Sequence, residues 1–129
     1  MLESAFWKLV KSHIPKDCHC SRIENLAGTG IPDATACLNG REIWIELKVA
    51  RGNRVSVSPS QVGWITRRLA AGAVNIWFLV RKSDSIHLIH GNFAHLLHSG
   101  ANIHGISRRV YTKPFAWDEL WKDLFNFIR

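Results

Sequence analysis

The chain has 129 residues, with 17 Lys and Arg against 10 Asp and Glu, giving a formal net charge of +7 and an isoelectric point of about 9.8. A single domain of this size buries about two-thirds of the surface its unfolded chain exposes, so one core suffices and neither a metal nor a disulfide scaffold is needed for folding. Hydrophobic residues at 47% and charged residues at 21% exclude a disordered or low-complexity chain, and the positive surplus points to a polyanion, either nucleic acid or an anionic membrane surface.

Met1-Leu2-Glu3-Ser4 has an acid where a secretory leader carries basic residues, and no cleavable apolar core follows, so the expectation is a cytoplasmic protein. Leu2, Phe6, Leu9 and Val10 recur at helical spacing and predict an amphipathic helix over 3–14 that stops before Pro15. Three cysteines is an odd number, and Cys18 and Cys20 are too close along an extended chain to bridge readily, so no disulfide framework is expected. Cys18-His19-Cys20 lacks the second pair at finger-like spacing that a zinc site needs, and His95 and His98, one helical turn apart, read as ordinary surface or core histidines. A short strand over 20–24 is followed by the turn Ala27-Gly28-Thr29-Gly30. Ile31-Pro32-Asp33 then leads into a strand through Leu38, and Asn39-Gly40 makes a tight hairpin.

The next strand, 42–49, alternates: Ile43, Ile45, Leu47 and Val49 share one face, Glu42, Trp44, Glu46 and Lys48 the other. Ser58-Pro59-Ser60-Gln61 opens a helix with a cap residue, Pro at the first helical position and Gln three residues after the cap. That helix runs to about Ala71, with Val62, Ile65 and Leu69 as its apolar stripe and Gly72 as its stop. The longest apolar stretch, Ala70 to Val80, is interrupted by Gly72 and Asn75 and falls well short of the roughly 20 residues that cross a bilayer. A buried strand over 74–80 and a hairpin partner over 85–90 follow, and the order strand, helix, strand predicts a parallel pair. A short helix over 92–98, an extended basic piece over 106–111 and a last helix over 115–127 complete a single domain, a core of about 1–90 with an extension over 91–129.

Chemistry is concentrated in Gly30-x-Pro32-Asp33, then Glu46-x-Lys48, with Gln61 at the start of the following helix. Asp33 begins one strand of a hairpin and Glu46 lies on its partner, so two carboxylates can converge on one divalent cation with Lys48 beside them. Magnesium prefers a few carboxylate oxygens plus waters and substrate phosphate, and it can lower the pKa of bound water, which suits phosphodiester hydrolysis. Lys48 would position that water or stabilise the developing negative charge.

Gly30-Ile31-Pro32-Asp33 with Glu46-Leu47-Lys48 resembles the signature of the PD-(D/E)XK nuclease superfamily, and Ser58-Pro59-Ser60-Gln61 with Trp64, Leu69 and Gly72 resembles its VRR-Nuc branch, over Glu3 to about Val80. The resemblance implies an α/β, restriction-endonuclease-like core of a helix, three mostly antiparallel strands, a helix and a parallel strand. It also implies that Asp33, Glu46 and the Leu47 carbonyl bind Mg2+, with Mn2+ able to substitute, that Lys48 acts on the attacking water and that Gln61 orients the site. A carboxylate from the first helix completes the site in the branch resembling Holliday junction resolvases; Glu3 is that helix's only acid, and Glu24 is the substitute. The substrate implied is branched DNA such as a four-way junction, cut by a homodimer of phage or bacterial type with no small-molecule cofactor.

Each residue also has a plainer reading. Asp33 after Pro serves as a turn residue, Glu46 and Lys48 as the solvated side of an amphipathic strand, and Gln61 as the partner of Ser58 in a capping box. Order, spacing, strand assignment and the helix-start Gln together favour one site. Arg51 and Arg54 flank Gly52-Asn53 just downstream of Lys48 and read as a flexible basic flap that clamps phosphates, while Arg67, Arg68, Arg81, Lys82, Arg108, Arg109 and Lys113 could extend the track. The last helix carries Trp117, Leu120, Trp121, Leu124, Phe125 and Ile128 on one stripe, for packing on its own sheet or for a homodimer interface. Two other functions remain open: a catalytically silent nucleic-acid-binding protein and a sequence-specific restriction-type endonuclease.

Overall fold

The computed structural model describes residues 1–23 and 29–127. Its first helix, α1 (Glu3–Lys11), buries Phe6, Trp7 and Val10. It ends one turn earlier than the sequence predicts because the Ser12 hydroxyl turns back to donate to Leu9 O at 2.7 Å, a side-chain bond that competes with further helix. Three strands follow, β1 (His19–Arg22), β2 (Ala34–Leu38) and β3 (Arg41–Val49), each antiparallel to the one before. Asn39 and Gly40 take φ of 52° and 78° between β2 and β3; the left-handed pair is what a two-residue Asn-Gly turn requires, and it locks the register Leu38↔Arg41 and Ala34↔Ile45.

Helix α2 (Pro59–Ala70) begins in the expected capping box and carries the chain back, so that β4 (Ile76–Lys82) lies parallel to β3. β4 starts two residues later than predicted: Val74 is 46% exposed, and the ladder begins where Trp44 N–H donates to Asn75 O at 2.9 Å. β5 (Ser85–His90) pairs antiparallel with β4. A 3-10 turn at Gly91–Phe93 leads into α3 (Ala94–His98), and β6 (Arg109–Thr112) and α4 (Trp117–Asn126) end the described chain. The six strands form one mixed sheet in chain order, with β3 and β4 as its parallel pair, and the class is α/β.

Two cores cover the two faces. On one, Phe6 and Val10 of α1 and Leu120, Trp121 and Leu124 of α4 pack on Ile43, Ile45, Leu47, Trp77, Leu79, Ile86 and Leu88. On the other, Ile65 of α2 and Ala94 and Leu97 of α3 pack on Ile76, Phe78, Val80 and Ile89, with Val55 and Val57 closing one end. Central strands covered this way are apolar throughout, as Ile76 to Val80 are, every one fully buried. β3 is the exception in composition only: Glu46 is 4% and Lys48 9% exposed, so the reading of these two as the solvated side of a half-exposed strand is corrected. The layer of α2 lies over them.

The last third belongs to the same body. β6 extends the sheet from β5, and the aromatic stripe of α4 is spent inside the chain, with Leu120, Trp121 and Leu124 fully buried; Ile128 lies outside the described residues. Asp123, on the polar side by sequence, is also covered: it accepts from Tyr111 Oη at 2.5 Å and from Arg109 Nη1 at 2.6 Å, while Arg109 Nη2 reaches Glu119 at 2.7 Å. Among the described residues, no helix is long and apolar enough to cross a membrane. Placing a carboxylate at Trp121 would strip the largest side chain of α4 from the core, a loss of about 3–5 kcal/mol before the cost of burying charge. That is comparable to the whole stability of a small domain. Trp121→Glu is therefore expected to lose its cooperative thermal transition by circular dichroism, and a folded Trp121→Glu of near wild-type melting temperature would contradict the packing described here.

Candidate active site

The register of the β2–β3 hairpin, continued one residue past Ala34↔Ile45, sets Asp33 opposite Glu46. Asp33 is fixed there through its side chain, whose Oδ2 accepts the Leu47 N–H at 2.7 Å, and through its carbonyl, which accepts the Ile23 N–H at 2.7 Å. Gly30, just upstream, is a point of close approach rather than a flexible turn. It holds φ at 73°, and a Cβ there would stand 2.1 Å from Ser60 O and 2.7 Å from Gln61 N. The loop that delivers Asp33 is thus pressed against the start of α2, where only glycine fits.

Gln61 reaches three ways from that start. Its Oε1 accepts the Ser58 N–H at 2.9 Å and a Lys48 Nζ hydrogen at 3.1 Å, and its Nε2 donates to Glu46 Oε1 at 3.3 Å, while the Gln61 N–H donates to Ser58 Oγ at 3.1 Å. Capping and site orientation, alternatives by sequence, are carried by the same side chain. Among the described residues, the ion pairs are Arg109 with Glu119 and Asp123, and Lys113 with Asp84; neither Glu46 nor Lys48 is in one.

Among the described residues, the second oxygen of Glu46, Oε2, is buried with no hydrogen-bond partner. Burial, then the charge of Asp33 and a hydrogen bond that Asp33 shares with the protonated acid, push the Glu46 carboxyl up to about 9; the Lys48 ammonium opposes that rise and Glu3 adds to it. Two carboxylates facing each other in a dry setting need a proton or a cation between them. Among the described residues, no group of three or more His, Cys, Asp or Glu is placed to hold a metal ion. The donors that do converge, Asp33 and the unpartnered oxygen of Glu46, are hard oxygens, and a pair of carboxylates completed by water and substrate phosphate is how magnesium is commonly held. They fit that ion and not a softer one.

Lys48 opens onto a cleft of about 790 Å³ lined by Glu3, Lys48, Arg51, Arg54, Ser56 and His98, among others. Glu3, in the first turn of α1, stands at this cleft and its charge is felt at Glu46; Glu24 lies outside the described residues. The Arg51–Arg54 segment is a tight turn rather than a flexible flap: the two residues exchange backbone hydrogen bonds at 2.9 and 3.2 Å. It is pinned by Asn53, whose carbonyl accepts the Ile103 N–H at 2.9 Å and whose Oδ1 meets Lys82 Nζ and, at 3.1 Å, His104 Nε2. His98, read from the sequence as an ordinary surface or core histidine, is a lining residue of the cleft. It is carried in by α3, and its Nδ1–H donates to Val57 O at 2.6 Å.

The basic track thins on inspection. Arg81 is 5% exposed, donates from Nε to Ser83 O at 2.7 Å and lies over the Phe115 ring. Arg109 is held by two carboxylates and Lys113 by Asp84. Arg108 covers Phe127 at 4.0 Å. Arg67 is exposed on α2, and Arg68 stacks on Trp44 and Trp64. Cys18, Cys20 and Cys37 are all free thiols, and burial pushes Cys20 up to about 11. No protein-family model and no curated protein matches the chain.

Two measurements probe this geometry. The folded protein keeps the Glu46 proton up to about 9 against an ordinary 4.5, so the stability this group contributes is complete below the ordinary value and is lost as pH rises toward the folded one. Glu46→Gln, the uncharged isostere, is expected in EDTA to melt above wild type at a pH of about 8, with the gap closing below about pH 4.5. A variant melting below wild type at the higher pH would contradict the buried carboxylate pair. Gln61→Ala removes the cap together with both side-chain bridges and is expected to cost at least the roughly 1 kcal/mol of a lost cap, whereas Gln61→Glu keeps the acceptor for Ser58 N–H and stays within about 1 kcal/mol of wild type by denaturant titration.

Proposed function

We propose that this protein is a metal-dependent DNA endonuclease of PD-(D/E)XK type, with Asp33, Glu46 and Lys48 as its catalytic side chains. The observation that carries the reading is the Glu46 carboxyl, buried against Asp33 with one oxygen unpartnered, while Gln61 holds Lys48 beside it at 3.1 Å. A structural ion pair would have joined Glu46 to Lys48 directly. The order α1, β1, β2, β3, α2, β4 agrees with the restriction-endonuclease-like core of that superfamily and supports the same reading, as does the position of Gly30 against α2.

Asp33 and Glu46, with the Leu47 carbonyl, are the groups that would hold Mg2+, or Mn2+ in its place. When bound, such an ion supplies a more acidic water and neutralises charge on the transferring phosphoryl group. A cation held between Asp33 and Glu46 would favour the ionised form of Glu46. Lys48 has three N–H donors and spends one on Gln61 Oε1, which leaves two for a phosphate oxygen or the attacking water. Gln61 is a positioning residue, fixing Lys48 and Glu46 from the rigid first turn of α2. Arg51 and Arg54, on a pinned turn at the cleft, meet the flanking phosphates, and Glu3 stands at the cleft as the third carboxylate.

With phosphate contacts dominant and no element presented as a reader of base edges, selectivity rests on DNA shape. Branched DNA such as a Holliday junction is the substrate proposed, in the manner of the VRR-Nuc branch. A homodimer, which would pair two incisions about a two-fold axis, must use a surface other than the apolar stripe of α4, because that stripe is buried in its own core.

The test incubates wild type, Glu46→Gln and Lys48→Ala with linear, flap, splayed and four-way DNA in EDTA, Mg2+ or Mn2+. The expected outcome is cleavage by wild type in metal alone. Both variants should lose it while still shifting DNA in a gel, because binding comes from the basic surface and chemistry from the site. Cleavage at wild-type rates by folded Glu46→Gln would end the assignment. Metal-independent DNA binding without cleavage would leave a silent nucleic-acid-binding protein, and cutting of linear duplex at one fixed sequence would leave a restriction-type enzyme.

A further inference from the structure

On the face of β3 that carries Glu46 and Lys48, the next residue toward the hairpin is Trp44, one pleat repeat of about 7 Å before Glu46. On α2, Gln61, Trp64 and Arg68 fall on one stripe. The two rows run side by side away from the carboxylates and meet in a layered group. The indole rings of Trp44 and Trp64 lie 5.1 Å apart at 60°, and the Arg68 guanidinium stands 5.1 Å from the centre of each. Beside them is a hollow of about 260 Å³, lined by Glu42, Trp44, Arg68, Ala73, Val74 and Asn75 among others.

Three features of this group go beyond packing. Trp44 and Trp64 are left half-buried where α2 could have covered them with aliphatic side chains. Arg68 is exposed and, among the described residues, makes neither an ion pair nor a hydrogen bond, so its five N–H donors are uncommitted. Glu42, exposed at the rim, opposes a phosphate entering the hollow itself. An aromatic wall, an available guanidinium plane and an acidic rim together suit a flat uncharged ring whose attached phosphate stays outside, on the side of Arg67 and Arg68.

We infer that the hollow lined by Trp44 and Arg68, with Trp64 packed against both, receives an unpaired nucleobase of the strand that crosses the carboxylate site. The inference rests on the nuclease reading for the identity of the strand, and it narrows the substrate class to DNA with an unpaired segment next to the scissile bond. A base in duplex is stacked on both faces and cannot reach an indole. A base in a flap, fork or opened junction can stack, and since every base has a π-face the site is tolerant of sequence.

The test is made first in EDTA, where chemistry is silent. Dissociation constants are measured by fluorescence anisotropy for a labelled single-stranded oligonucleotide and for a fully paired hairpin duplex, using wild type, Trp44→Leu and Arg68→Gln. A base–aromatic stack is worth about 1–3 kcal/mol, so Trp44→Leu is expected to weaken single-strand binding about tenfold or more and to leave duplex binding within about twofold. Arg68→Gln, at an exposed position, keeps the fold and is expected to shift in the same direction. Equal losses on both nucleic acids, or none on the single strand, in protein of wild-type melting temperature would overturn the inference. Magnesium is then added to the same samples. With a flap DNA included, folded Trp44→Leu that loses the flap cleavage wild type performs supports the inference, and flap cleavage at the wild-type rate overturns it. Wild type that cuts nothing while binding single strands in a Trp44-dependent way overturns the nuclease reading and leaves the base site standing.

Discussion

The arrangement turns on the burial of both faces of β3. A strand covered on one side by α1 and α4 and on the other by α2 has no solvent to dissolve charge, yet it carries Glu46 and Lys48 at 4% and 9% exposure. Burying an unpaired carboxylate is costly, so the surrounding residues are chosen to limit that cost without removing it. Gln61 gives Glu46 one hydrogen bond, Asp33 shares another only when Glu46 is protonated, and in the ionised form Oε2 has no partner among the described residues. A fold selected for stability alone would place a methylene group there. A buried carboxyl so strongly perturbed by desolvation and a facing carboxylate is characteristic of functional sites.

Gln61 joins this demand to the integrity of the fold. The same oxygen that closes the first turn of α2 on Ser58 receives Lys48, so the lysine can be displaced only by disturbing the cap. Gly30 works from the opposite side. Its lack of a Cβ lets the Asp33 loop sit directly on Ser60 and Gln61, which fixes the distance between the hairpin and the helix. Three segments far apart in the chain are thereby held as one rigid frame, and this is how a site of few residues keeps a sub-ångström geometry.

Much of this frame was readable because it is local. Asn39-Gly40 dictates a two-residue turn, the turn dictates the register, and the register sets Asp33 against Glu46 without any tertiary information. Ser58-Pro59-Ser60-Gln61 announces its cap in the same way. What the sequence concealed is set by distant packing. Alternation along 41–49 is the pattern of a strand with one wet face, and nothing in those residues tells that α2 closes over Glu46 and Lys48. His98 comes to the cleft across a long separation from Val57, and Asn53 is anchored by Lys82 and His104 from later elements. Asp123 reads as polar surface until Tyr111 of β6 comes to it.

The basic composition illustrates the same division between count and placement. A net charge of +7 suggests a broad positive surface, but Arg81 is buried against Phe115, Arg109 is neutralised by Glu119 and Asp123, and Lys113 is paired with Asp84. Other cations have no carboxylate partner among the described residues: Lys48, Arg51 and Arg54 converge at the cleft, Arg67 and Arg68 lie along α2, and Lys8, Lys11, Lys16, Arg22, Arg41 and Lys122 are exposed elsewhere. Opposed charges close to a cation cancel its field beyond a few ångströms, whereas uncompensated ones beside a low-dielectric wall reinforce one another. Lys48, Arg51 and Arg54 all line one cleft, where their charges reinforce one another. Net charge is thus only a count, and the pairing of Arg109 and Lys113 decides how much of it is left uncompensated.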